Sequence, residues 1–322
     1  MRRVRTLWQL IRADFLERTR RYTFLVTLGV MLYVGYVAVP PKSANALTVN
    51  LGRTQNLRGV YNSAWVGSMI ALLTTMLLSL PGFYLVKNAV SRDRRTGVGQ
   101  IIATTPLSKS LYTLGKALSN LSYLAVIMMI VVIGAGGTQI IRGEVTRLRI
   151  GQLLTPFVVI SLPTMTVIAA LAVLFETVPL LRGGFGNVIY FVLYIVFIVV
   201  SMSGATFNAQ GIIEEPINDL FGATVIGASM LQDAHRAYPD LQLDYGIGYA
   251  RVEGPITTFR WEGVTWTTGL VVQRLVWVGV ALGLVLVAAV IFDRFDPARG
   301  SRRAGSKPGL LARIRAPLRH IH

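Results

Sequence analysis

The chain has 322 residues, of which 53% are hydrophobic and 15% charged, against roughly 25% charged in an ordinary soluble domain; its mean hydropathy is +0.55. These figures argue against a soluble globule, and the absence of cysteine excludes disulfides, thiolate metal sites and thiol nucleophiles. Lysine and arginine total 32 against 15 acids, a formal charge of +17, but they lie beside apolar runs, where the expected partner is anionic lipid and not nucleic acid.

Residues 1–21 open the chain. Val4, Leu7, Trp8, Ile11 and Phe15 recur at spacings of three and four, with Arg2, Arg5, Arg12 and Arg18 on other faces. This pattern predicts an amphipathic helix in the membrane plane on the cytoplasmic side. Asp14 with Arg18, and Glu17 with Arg21, predict ion pairs along its surface. Two roles stay open for it: anchoring the first span, or transmitting force to it.

Six apolar runs follow: Tyr22 to Val39, Trp65 to Val86, Leu114 to Ile133, Leu153 to Phe175, Val188 to Thr206 and Gly269 to Phe292. Each is long enough for about 30 Å of hydrocarbon at about 1.5 Å per residue. The expected fold is therefore an all-α polytopic membrane protein with six transmembrane helices, five of them in residues 22–206 and the sixth in 269–292. The even count puts both termini on one side. Arginine and lysine concentrate before the first run, between the second and third, and in the basic tail 293–322. The positive-inside rule then expects a multi-pass protein of the cell membrane with both termini in the cytoplasm.

The connection between the second and third runs, residues 91–110, is the most informative. It reads as a charged exit, a short helix around Val98 to Thr104, a break at Pro106 and a re-entry helix capped by Ser108. Such a segment presents a short helix sideways beyond the membrane, where a soluble motor can push on it.

Within the runs, Thr74, Thr75, Ser79, Ser201 and Ser203 are small hydroxylated residues that either pack helices closely or line a translocation path. Pro156 and Pro163 predict a kink in the fourth run. Glu176 has Arg182 or the segment Arg92 to Arg95 as expected partners. Arg274 is a cation inside the sixth run, about 9 Å from its start. It either snorkels to the outer surface, the preferred reading, or pairs with Glu214 or Glu215 as an outer gate.

The long loop 207–268 is expected outside the cell. It carries eight acids against three arginines. Its part from Pro216 to Ala234 predicts a helix or two lying on the outer leaflet. The part from Leu241 to Trp266 predicts a hairpin or coil with its aromatics at the membrane interface. An ordered cap and a functional lid are both compatible with it.

The connecting segment resembles that of ABC-2 type permeases, the transmembrane subunits of ATP-binding cassette exporters. The resemblance rests on Asp93-Arg94, Thr96-Gly97, Ile101-Ile102, Ala103-Thr104-Thr105-Pro106-Leu107-Ser108 and Gly115-Lys116, together with six runs, an N-terminal amphipathic helix and a longest loop between runs five and six. It departs from the family within Thr96-Gly97-Val98-Gly99-Gln100, which has two glycines and lacks the acid that many members carry. The resemblance implies a dimer with a second permease copy or a related permease, and two cytoplasmic ATPase subunits that bind ATP and magnesium. It also implies coupling through Asp93, Arg94, Thr96, Thr104, Thr105 and Pro106. The chain itself has no phosphate-binding loop, because Gly115-Lys116 is preceded by Ser110 at the required position and followed by Ala117. It is thus expected to be a non-catalytic subunit without a cofactor of its own, exporting an amphiphilic drug, peptide or lipid. The alternative is a membrane-embedded scaffold or sensor that binds a ligand or partner through the acidic loop. A membrane-embedded enzyme would need clustered titratable groups that the runs do not offer.

Overall fold

The computed structural model of the protein describes residues 2–52, 56–203, 219–241 and 243–295, with the backbone alone at positions 2, 3, 4, 6, 52 and 203. Glu214, Glu215, the Ser203 side chain and the tail beyond residue 295 lie outside the described residues, so the expectations placed on them have no structural counterpart.

Helices α1 (Arg2–Thr19) and α2 (Tyr22–Val37) are followed by strands β1 (Ala46–Gly52) and β2 (Leu57–Gly59). Then come α3 (Ser63–Val86), α4 (Ala89–Arg95), α5 (Val98–Thr104) and α6 (Lys109–Arg142). The fourth run forms α7 (Ile150–Pro156) and α8 (Leu162–Thr177), joined by a π-turn at Phe157–Ser161. Pro156 and Pro163 bracket that turn, and the freed backbone groups are absorbed by the wider hydrogen-bonding step. Helix α9 (Gly184–Ser203), α10 (Ala223–Ala237), β3 (Leu243–Arg251), β4 (Thr257–Phe259) and α11 (Thr268–Ile291) complete the described chain.

Among the described residues, five helical segments are long and apolar enough to cross a membrane: 63–95, 109–142, 150–177, 184–202 and 268–291. Helix α2 is apolar but has 16 residues, about 24 Å, which is shorter than the run read from the sequence. Helix α6, with 34 residues, is about 51 Å long and outreaches the hydrocarbon layer. Its first turns therefore project from one face of the bundle, and α1 packs along them. That face also carries α4 and α5; we refer to it as the basic face.

Helix α8 is the centre of the bundle, packing on α3, α6 and α11. Trp65, Phe83, Tyr123, Phe157, Phe175 and Tyr190 are among the buried side chains that fill the core. Ser79 lies in that core as well: it donates to the Thr75 carbonyl, and Tyr190 donates to the Ser79 carbonyl at 2.6 Å, tying α9 to α3.

The opposite face differs from the all-helical expectation. Strand β1 pairs antiparallel with β3, and β2 pairs parallel with β4, so the segment before α3 is stitched to the segment before α11. Of the hairpin or coil expected between Leu241 and Trp266, the hairpin does not form, because each strand there finds a partner from the first connection. The aromatics expected at the membrane interface divide: Phe259 and Trp261 are buried, while Tyr249 is exposed. Trp261 meets Trp65 edge-on, with centroids 6.3 Å apart, and donates to Ser229. Arg58 forks onto Glu144 at 2.8 and 2.9 Å, and the Tyr61 amide donates to the same carboxylate.

The helix expected on the outer leaflet is also corrected. Helix α10 tucks the residues from Ala223 to Ala228 into the core. Its first amide groups are satisfied by one carboxylate: Asp219 accepts from Gly222, Ala223, Thr224 and Val225. Gly222 enters the helix at φ +81° with Ile160 packed against its Cα, a position that admits no side chain.

Candidate functional site

The basic face holds a cluster of charges built by α1, α4 and α6. Asp14 faces inward from α1, one turn before Arg18, and both are buried. On α6, Lys116 is 1% exposed. Its Nζ lies 2.8 Å from Asp14 Oδ2 and 2.7 Å from Asp93 Oδ2. Arg92 contacts Asp14 and Glu17, each at 2.5 Å, and Tyr112 donates to Asp93 at 2.8 Å. The Glu17–Arg21 pair expected along α1 forms at 2.6 Å. Asp14 instead turns away from its expected partner, Arg18, toward Lys116 and Arg92, because two cations from neighbouring helices compensate it better than one on its own helix. Arg18 reaches Asn120 at 2.7 Å.

Charges buried this deeply persist only while each keeps a partner; removing one partner of a buried pair costs about 3–5 kcal/mol. The cluster therefore makes α1, α4 and the start of α6 one mechanical piece. Glu176 fastens that piece to α8. Its carboxylate accepts from the Ala89 and Ser91 amides at 2.9 and 2.8 Å, while Arg182 reaches the Glu176 backbone carbonyl at 2.7 Å. Neither ion pair expected of that carboxylate is its main contact; the open amides at the start of α4 take it.

A second lock joins the segment to the end of α11. Arg94 donates to both oxygens of Asp293 at 2.8 and 2.9 Å, Arg182 lies 3.6 Å from the same carboxylate, and Arg294 donates to the Thr105 carbonyl at 2.6 Å. Burial pushes the Asp293 carboxyl up, but Arg94, the Phe295 amide and Arg182 outweigh this and hold it below its ordinary value. Tyr112 stacks on Phe292, centroids 4.9 Å apart, and Phe295 packs edge-on against both. Asn88, Arg294 and Phe295 are the non-glycine residues with positive φ among the described residues, and all three bound this segment. Backbone strain of this kind is held in place by surrounding contacts.

Helix α5 rides on that base. It spans Val98–Thr104, with Thr105 extended before Pro106 and Ser108 accepting from the Leu111 amide at 3.2 Å. Gly97 turns into it at φ 76°. Gly99 sits so close to Phe295 that a Cβ there would lie 2.6 Å from the ring. Gly97 thus supplies the left-handed turn into α5, and Gly99 seats the helix on its aromatic base. Ile102 and Leu107 point inward, toward Val90 and Tyr112. Outward stand Val98, Ile101, Thr104, Thr105 and Pro106, all exposed, with Ile101 at 67%.

The structure sorts the residues singled out from the sequence. Thr96, Thr104, Thr105 and Pro106 lie on the exposed side of the segment, and Arg94 is exposed but paired with Asp293. Asp93 is 4% exposed and serves the internal cluster, so it offers no surface to a partner. Thr74, Thr75, Ser79 and Ser201 are fully buried. Thr75 donates to Ser161 and to the Ala71 carbonyl, both at 2.6 Å, and Ser201 accepts from the Phe221 amide at 3.4 Å. Arg274 is 2% exposed. It does not snorkel to the outer surface, because the buried Asp219 carboxylate lies 3.5 Å away and the Asp219 carbonyl accepts from its Nη1.

Sequence reading missed Asp14, Lys116, Asn120 and Asp293 as members of the site. Lys116 and Asp14 carried a signal, being charges on otherwise apolar helix faces. Asp293 carried none that separates it from an ordinary span boundary. No protein-family model matches the chain, and no curated protein matches it.

Proposed function

We propose that this chain is the membrane-embedded subunit of an exporter of the ABC-2 permease type, driven by a separate nucleotide-hydrolysing subunit that grips α5. The observation that carries the reading is a rigid mount with an open tip. The segment that carries α5 is tied to α1, α6, α8 and the end of α11, yet the outward surface of α5, centred on Ile101, is bare and partly apolar, as a docking surface would be. The absence of a phosphate-binding loop from the sequence assigns ATP and magnesium to the partner.

In this reading the basic face is cytoplasmic, α2 is the first of six spans, and both termini lie in the cytoplasm of the cell. ATP binding in two partner subunits displaces α5. The charge cluster carries that displacement to α1 and the third span, Glu176 carries it to the fourth, and Asp293 carries it to the sixth. A second permease copy, identical or related, meets the outward surface of the second and fifth spans, and an amphiphilic cargo leaves between the copies.

Affinity purification of the full chain from its native membrane, with partner identification by mass spectrometry, tests the reading. A subunit bearing a phosphate-binding loop should co-purify, and its recovery should fall at least about tenfold in Ile101→Asp. A native preparation without such an ATPase, or one whose recovery ignores Ile101→Asp, would overturn it and leave the scaffold or sensor reading.

A further inference from the structure

Between the end of α1, the start of α2 and the α3–α4 junction lies a cavity of about 250 Å³. Its lining includes Arg18, Arg21, Lys87, Arg92 and Arg95, and no carboxylate. The acids near these cations are engaged elsewhere: Glu17 contacts Arg21 and Arg92, Asp14 is divided between Arg92 and Lys116, and Glu176 accepts from the Ala89 and Ser91 amides. Lys87 donates to Asn187 at 2.6 Å, an uncharged partner. Arg95 is exposed.

Arg18 is the telling residue. It is 4% exposed; Asn120 satisfies its Nη1, while its Nη2 has no hydrogen-bond partner. A buried guanidinium with no carboxylate in hydrogen-bond contact is costly, and burial pulls Arg18 below the ordinary arginine range even with Asp14 and Glu176 nearby. A cavity that gathers cations around such a group is complementary to a compact multivalent anion, whose oxygens can accept from several guanidinium forks at once.

We infer that this cavity binds a phosphate-bearing anion at the basic membrane boundary, with the headgroup of an anionic lipid as the source that its surroundings favour. Thr23 of α2 lines the cavity, and the following Leu25 and Val26 are exposed apolar residues along which acyl chains can lie. Basic pockets between apolar helices select such headgroups over zwitterionic ones. The inference needs only that the helices are embedded in a bilayer; it does not depend on an ATPase partner.

The test uses the full chain in detergent, with lipid retention read by native mass spectrometry and thermal stability measured on the same samples. Phosphatidylglycerol should be retained and raise the Tm, and phosphatidylcholine should do neither. Arg18→Gln and Arg95→Gln should each weaken phosphatidylglycerol binding about fivefold. Arg95→Gln changes an exposed side chain, so it keeps the test decisive should Arg18→Gln fail to fold. Inorganic phosphate alone is the third arm: stabilisation equal to that of the lipid, lost in the same variants, upholds the anion site and identifies a free anion as its occupant. Equal retention of phosphatidylglycerol and phosphatidylcholine by the native chain, or undiminished anionic-lipid binding in Arg95→Gln, would overturn the inference.

Discussion

Glu144 closes the α6 side of the strand-bearing face with one carboxylate, taking two hydrogen bonds from Arg58 and one from the Tyr61 amide. Burial pushes its pKa up, but the Arg58 and Tyr61 hydrogen bonds, with the charges of Arg58 and Lys42, outweigh this and hold it below the ordinary value of 4.5. A lowered folded value means that the ionised form stabilises the fold. That contribution is complete above about pH 4.5 and is lost as the pH falls through the folded value. Glu144→Gln should lower stability at neutral pH by about 1–2 kcal/mol, a modest figure because part of the carboxylate faces solvent. It should also reduce the loss of stability on acidification. Thermal melts of both proteins between pH 7 and about pH 3 check this, and parallel acid limbs would refute it. Arg274 teaches a related lesson. Its depth along the sixth run was legible from the sequence, but its partner was not, because Asp219 lies across a long connection whose path no spacing rule predicts.

At the scale of elements, α5 is a short helix whose position depends on a contact with no side chain on one side. Gly99→Val would drive a branched side chain into Phe295, and that ring is hemmed in by Tyr112 and Phe292. Overpacking of this kind typically costs about 1–3 kcal/mol. The expected result is faster proteolysis within residues 91–110 with little change in the melting of the spans; unaltered proteolysis would show that the aromatic base does not hold the helix. The limits of α5 could be read from the sequence because Pro106 and Ser108 act locally. Its mount could not, because Asp14, Lys116 and Asp293 come from three distant elements. The strands show the same division. Ala46 to Val49 are all buried, yet nothing in that segment names β3 as its partner, and short strands without a local hairpin turn leave little pattern to read.

For the whole molecule, the spans are unequally enclosed. In their most apolar 18-residue stretches, the segments 150–177 and 63–95 have 72% and 61% of their residues buried, whereas 184–202 and 268–291 have only 22% and 28%. Tyr190, Tyr194 and Ser201 of α9 turn inward, so Val188, Val192 and Val199 face away from the bundle and are exposed. A cysteine-free chain makes this face easy to probe. Under mild oxidation in native membranes, Val192→Cys should form a disulfide-linked pair of chains, and Val290→Cys on α11, 81% exposed, should not. Equal cross-linking at both positions would indicate random encounter and argue against a second copy on α9. Five of the six apolar runs read from hydropathy coincide, among the described residues, with helices long enough to cross a membrane. Which spans the chain covers with its own helices was not legible in the sequence, since all of them are comparably apolar.

The pairing of β1 with β3 and of β2 with β4 imposes an order on biosynthesis. Leu47 meets Ala250 and Leu57 meets Thr257, so the strands of the first connection wait for partners made much later. Until then the nascent chain carries two unsatisfied strand edges, the feature that invites mispairing with other chains. Ribosomal stalling before residue 243 would leave the earlier helices without α11 and this end unsealed, so synthesis of residues 243–291 separates a closed bundle from an aggregation-prone fragment.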